Sequence, residues 1–189
     1  MTNTNSQVPA PRSLKALVAL ISAIAILGTV TDASAKKNKK DCKAGDGDFA
    51  SHMVAPPDCD SPIGICTMGT LTGDLPGSYW FVMDTMMPAG DPTNPGKFVY
   101  TGHSVITGAH GAKIFGSDTG EMMMNPDPMG PNPFVTTVNI VSGTKKYAHV
   151  SGQVVATGEL VFATGMGVGS YTSSICKDKD NDDGQCSVD

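Results

Sequence analysis

Apolar and polar residues alternate in short runs along most of the chain, and glycine or proline closes nearly every run. Ile63–Thr72 is the first such run. Ser78–Met87 (SYWFVMDTMM) is the densest in aromatic and β-prone residues. Lys97–Thr107, Ala112–Met124, Phe134–Val141, Ser151–Phe162 and Ser170–Cys176 follow. The breaks between them carry turn chemistry: Asp74-Leu75-Pro76-Gly77, the proline-rich 88–96 and 125–133, and Gly108-Ala109-His110-Gly111. The pattern predicts about seven or eight strands with no amphipathic helix, arranged as a sandwich or barrel. Within Ser78–Met87 one face reads Tyr79, Phe81, Met83, Thr85, Met87 and the other Trp80, Val82, Asp84, Met86. Both faces are partly apolar, as when one fills a barrel and the other meets a partner. Glycines inside strands (Gly102, Gly116, Gly158) suit barrel corners or bulges.

The ends read differently. Arg12 and Lys15 precede an apolar run, 16–30, and Ala33-Ser34-Ala35 follows it. These are the three parts of an export signal, with cleavage predicted after Ala35. The run is shorter than the roughly 20 residues that span a bilayer, so no stable membrane anchor is expected. Residues 36–62 predict an irregular arm, 63–176 the β-barrel domain and 177–189 an acidic tail. The formal charge is −5, and the segment to be removed carries Arg12, Lys15 and Asp32, which leaves the remainder one unit more acidic. A short lysine cluster in the arm is no sustained basic stripe, so nucleic acid is not an expected partner. Secretion into the medium or the periplasm fits the five cysteines. In a closed barrel the first and last strands are neighbours, which pairs Cys66 with Cys176. Of Cys42, Cys59 and Cys186 any two can pair with the third left over, and proximity makes Cys42 with Cys59 the first choice.

The residues Thr72-Gly73-Asp74-Leu75, Gly111-Ala112-Lys113-Ile114-Phe115-Gly116, and Phe134 to Gly152 carry a family resemblance. The last stretch runs Phe-x-x-x-x-Ile-Val-Ser-Gly-Thr-x-x-Tyr-Ala-x-Val-x-Gly. Together they resemble the allene oxide cyclase and dirigent-like β-barrel superfamily. Gly143, Thr144, Tyr147, Ala148 and Gly152 match, whereas Lys145 stands where a second glycine is usual. The resemblance spans about Ile63–Cys176. It implies an all-β fold: an antiparallel eight-stranded barrel with an apolar cavity, often assembled as a homo-oligomer. It also implies a function, in which a shaped pocket holds a reactive intermediate so that it cyclises or couples one way. No catalytic residue carries over from the family.

Candidate chemistry therefore comes from the residues themselves. Asp84, in the most hydrophobic strand, and Glu159 are the first acid–base candidates, with Asp118 and Glu121 as further strand carboxylates. A carboxyl enclosed in a barrel has a raised pKa and can transfer protons. His103, mid-strand, can pair with a carboxylate. Tyr79, Phe81, Met83, Tyr100 and Met122 are the candidate lining for a small apolar molecule. Three functions compete: apolar-ligand binding with or without cyclisation or isomerisation, a non-catalytic structural or interaction barrel, and periplasmic copper handling by Met and His. Asp178–Gly184 imitates a calcium loop but lacks the EF-hand spacing and a closing glutamate. No phosphate loop, dinucleotide fingerprint, zinc-peptidase or serine-hydrolase motif occurs, and no cofactor or metal is expected.

Overall fold

The computed structural model describes residues 40–178. They form eight strands: β1 (Lys40–Val54), β2 (Cys66–Leu71), β3 (Gly77–Pro88), β4 (Lys97–Gly108), β5 (Lys113–Met123), β6 (Asn132–Gly143), β7 (Val150–Val161) and β8 (Met166–Asp178). Each strand pairs antiparallel with the next, and β1 pairs with β8, closing the sheet into an eight-stranded barrel. Among the described residues the only helical pieces are two 3-10 turns, Ala109–Gly111 and Lys145–Tyr147.

The irregular arm expected over 36–62 is corrected for most of its length. Lys40–Val54 is the longest strand of the barrel, and only 55–65 remains irregular. Its composition hides it, because the inward positions Gly45 and Gly47 are small and the outward ones are polar. Pairing decides the matter: β1 is in register with β8 from Lys40↔Asp178 to His52↔Met166 and with β2 from Phe49↔Leu71 to Val54↔Cys66. Without it the barrel would have two open edges, and closure outweighs weak local propensity. At the other end of the domain, Lys177 and Asp178 belong to β8 rather than to a tail. The signal segment, Cys186 and the rest of the acidic calcium-like stretch lie outside the described residues.

Both expected disulfide pairings are also corrected. Cys42 bonds Cys176, and Cys59 bonds Cys66. The neighbour of the last strand is indeed the first, but the first strand carries Cys42, directly in register with Cys176. The Cys66 strand comes second. Cys66 is fully buried and in register with Val82, which is also buried. Thr67 lines the interior, so Cys66 points away from it, and the bond to Cys59 holds the β1–β2 connection. Ser61 Oγ donates to the Met83 carbonyl at 2.5 Å, and the Met83 N–H donates to Ile65 O at 3.0 Å.

The hairpin turns fasten one end. Tyr171 Oη donates to Thr72 O (2.6 Å) and accepts from the Leu75 N–H (2.8 Å), anchoring the β2–β3 turn. In the β6–β7 connection the Thr144 N–H donates to Lys113 O, and Thr144 Oγ1 accepts from the Lys113 N–H at 3.0 Å. A Cβ on Gly143 would sit 2.2 Å from the Tyr147 carbonyl oxygen, so this position excludes a side chain. Lys145 takes a left-handed φ of 54°, a conformation that glycine adopts most easily. Its ammonium donates to His110 O on the neighbouring turn.

The two disulfides close loops of very different length, with sequence separations of 134 and 7. Chain-entropy reasoning assigns upper limits of roughly 5 and 2 kcal/mol to them. Urea unfolding of Cys42→Ala/Cys176→Ala is expected to show the larger loss, about twice that of Cys59→Ala.

Candidate functional site

The barrel interior is layered. At the end bearing the short hairpin turns, Leu75, Ile106, Ile114, Val138, Val154 and Tyr171 pack together. Towards the opposite end Met83, Tyr100, Met122 and Leu160 form a second cluster, with Met53, Met86 and Met124 against it. A cavity of about 100 Å3, traced by water centres, is lined by members of both clusters and by Phe49, Ser51, Ser104, Asp118 and Thr136. This is several times the roughly 10–15 Å3 that one water requires.

The space exists because of glycine. An eight-stranded barrel has an interior that side chains can just fill. Here several inward positions carry no side chain, and aromatic rings lie over the bare backbone. A Cβ on Gly102 would meet the Phe81 ring at 2.6 Å, one on Gly120 the Tyr100 ring at 2.3 Å, and one on Gly158 or Gly169 the Phe49 ring at 2.6 Å. Ring contacts tie these aromatics together: Phe49 stands edge-on to Tyr79 at 6.2 Å and Phe81 edge-on to Tyr100 at 6.1 Å.

Asp118 is the ionisable acid in this interior, only 1% exposed. The alternation of β5 puts it there, on the same face as Ile114, Gly116 and Met122. Gly116 leaves it room, since a Cβ there would crowd Val138, Ser104 Oγ and Asp118 Oδ1. Ser104 Oγ donates to Oδ1 at 3.0 Å, and among the described residues Oδ2 has no hydrogen-bond partner. Burial pushes the carboxyl up to about 6, against the Ser104 hydrogen bond and the His103 charge, which pull it down. The Asp84 charge adds to the rise. Nearby, Tyr100 Oη shares a short hydrogen bond with Thr136 Oγ1. Burial drives the Tyr100 phenol up to about 12, and the Asp118 charge pushes the same way. Tyr79 is raised as well, by burial, with hydrogen bonding to Ser51 and Thr67 opposing.

All five residues expected to line a pocket do face the cavity: Tyr79, Phe81, Met83, Tyr100 and Met122. The acid–base candidates do not. Asp84 and His103 meet, with His103 Nδ1 3.1 Å from Asp84 Oδ1, but on the outer wall, their side chains 43% and 56% exposed. Alternation puts Asp84 there, next to the inward Met83, and the bulge between Met83 and Thr85 brings Thr85 to the same outer wall, where its Oγ1 bonds Thr101 Oγ1 at 2.7 Å. Glu159 is exposed, since Leu160 next to it is the inward residue. The methionines cluster as the copper reading requires, yet His52, His103, His110 and His149 are all exposed. Among the described residues no group of three His, Cys, Asp or Glu side chains is placed to hold a metal. Asp118 was one of four strand carboxylates in the sequence. What distinguishes it is parity: counted from Ile114 and Met122 it falls inward.

Comparison of the chain with protein-family models, with curated proteins and with solved structures gave no match.

The buried acid makes stability depend on pH. Asp118 is raised from an ordinary 3.8 to about 6, so its neutral form is favoured in the fold. That contribution is fully present below 3.8 and is lost as pH rises through 6. It amounts to about 3 kcal/mol. Asp118→Asn is expected to flatten this dependence, gaining on the wild type between about pH 4 and 7 in urea unfolding.

Proposed function

We propose that the barrel binds one small, mostly apolar molecule in its lumen, oriented by Asp118, Ser104, Tyr100 and Thr136. The carrying observation is the cavity itself. Apolar and aromatic walls with a few converging polar groups and a perturbed acid are the ordinary make-up of a small-molecule site. The glycine and ring pairs argue in the same direction, because ordinary side chains at those inward positions would occupy the space.

The resemblance to allene oxide cyclase and dirigent barrels supports the same reading, and with it an interior that steers a cyclisation or isomerisation. In that case Asp118 is the group placed to exchange a proton with the bound molecule, since Asp84, His103 and Glu159 face away. Positioning by rigid rings would supply the selectivity. We further propose that the chain is exported, as the N-terminal signal pattern suggests. Its two disulfides are compatible with an extracellular or periplasmic location, and among the described residues no helix is long and apolar enough to cross a membrane.

Methionine-methyl NMR offers a direct test, because Met83 and Met122 lie in the lining. Titration with toluene is expected to shift both resonances saturably. Ala156→Phe, which places a ring in the lumen, is expected to abolish the response while circular dichroism stays β-rich. Asp84→Asn, His103→Gln and Glu159→Gln are expected to change affinity by less than about twofold. A lumen that gives no response to toluene would leave a structural barrel filled by its own side chains.

A further inference from the structure

We propose that the molecule this lumen is built for is a cation, a small hydrophobic amine whose ammonium group pairs with Asp118. The inference rests on the ligand-binding reading above and names the chemistry of its polar end.

Three observations carry it. First, the charge is one-sided. Of the lining residues, Asp118 alone bears a carboxylate, and no lysine, arginine or histidine is among them. The charged groups that reach Asp118 are His103 on β4 and Asp84 on β3, both on the outer wall, and the Tyr100 phenol stands on its inner side. Those two outer charges oppose each other in their effect, so the protein supplies no net counter-ion from within the lumen. Second, the carboxylate is incomplete. Ser104 satisfies one oxygen, while the other lacks a partner among the described residues. A buried carboxylate left so is costly, and a charge-assisted N–H donor is the group that would complete it. Third, the remaining surface suits a cation. Phe49, Tyr79, Phe81 and Tyr100 line the same cavity, and the faces of such rings attract ammonium groups. Methionine sulfurs at Met83 and Met122 add polarisable surface that adapts to an irregular apolar body.

A neutral carbonyl ligand would make the opposite demand. It would need Asp118 protonated as a donor, and its binding would strengthen in acid. An amine needs the carboxylate ionised, so its binding strengthens as pH rises through the titration of Asp118 and it is released in acid.

The test compares three probes of one shape: benzylamine, benzyl alcohol and toluene. Each is titrated into the full chain and followed by the Met83 and Met122 methyl resonances, at about pH 7.5 and about pH 5. The amine is expected to bind about tenfold more tightly than the alcohol at the higher pH. That preference is expected to shrink to about twofold at the lower pH and in Asp118→Asn, with toluene affinity constant throughout. The wild-type pH comparison stands even if the variant fails to fold. Equal binding of all three probes would overturn the cation inference and leave the apolar-ligand reading intact. Alcohol binding that strengthens in acid would do the same and assign Asp118 as a donor. Failure of every probe to bind would overturn both.

Discussion

The interior of this barrel depends on one steric arrangement, an aromatic ring laid over a glycine one or two strands away. Phe81 over Gly102, Tyr100 over Gly120, and Phe49 over Gly158 and Gly169 all follow it. Each glycine removes a side chain from a lumen that eight strands would otherwise fill, and each ring covers the exposed backbone. The rings remain rigid, with two torsions apiece, and they brace one another edge to face. A void surrounded by rigid walls results, rather than a core that collapses onto itself. The same spacing lets Gly116 leave room for the Asp118 and Ser104 side chains in the middle of the lumen.

The rest of the structure holds that arrangement closed. Cys42–Cys176 ties the β1–β8 seam, Cys59–Cys66 holds the β1–β2 connection on the outside, and Tyr171 fixes the β2–β3 turn through two backbone hydrogen bonds. Fixing the frame at its seam and at a hairpin end leaves the middle free to be under-filled. It also explains how a desolvated acid is tolerated. Several kcal/mol of covalent and packing constraint stand against a cost of about 3 kcal/mol.

Much of this was legible in the sequence, and the exceptions have physical causes. β3 to β8 announce themselves by alternation and by turn residues, and Tyr79, Phe81, Met83, Tyr100 and Met122 fall inward as their parity requires. β1 does not, because Gly45 and Gly47 interrupt its inward face before Phe49 and outward Asp46, Asp48 and His52 are polar, which reads as a loop. Only the demand of β8 for a partner reveals it, and with it the true partner of Cys176. Asp84 belongs to the most hydrophobic strand, but it shares a face with Trp80 and Val82, opposite the inward Phe81 and Met83, so alternation alone turns it outward to His103. Asp118 is one of four strand carboxylates, and its polar neighbours Ser117 and Thr119 belong to the other face. In a barrel, parity outweighs the polarity of immediate neighbours.

The proposed binding site requires a desolvated carboxyl inside a lumen that a ligand can enter. The 13Cγ titration of Asp118 measures this most directly. The midpoint is expected near 6 and to move downward when a protonated amine is added. A midpoint at the ordinary 3.8, unchanged by amine, would contradict it.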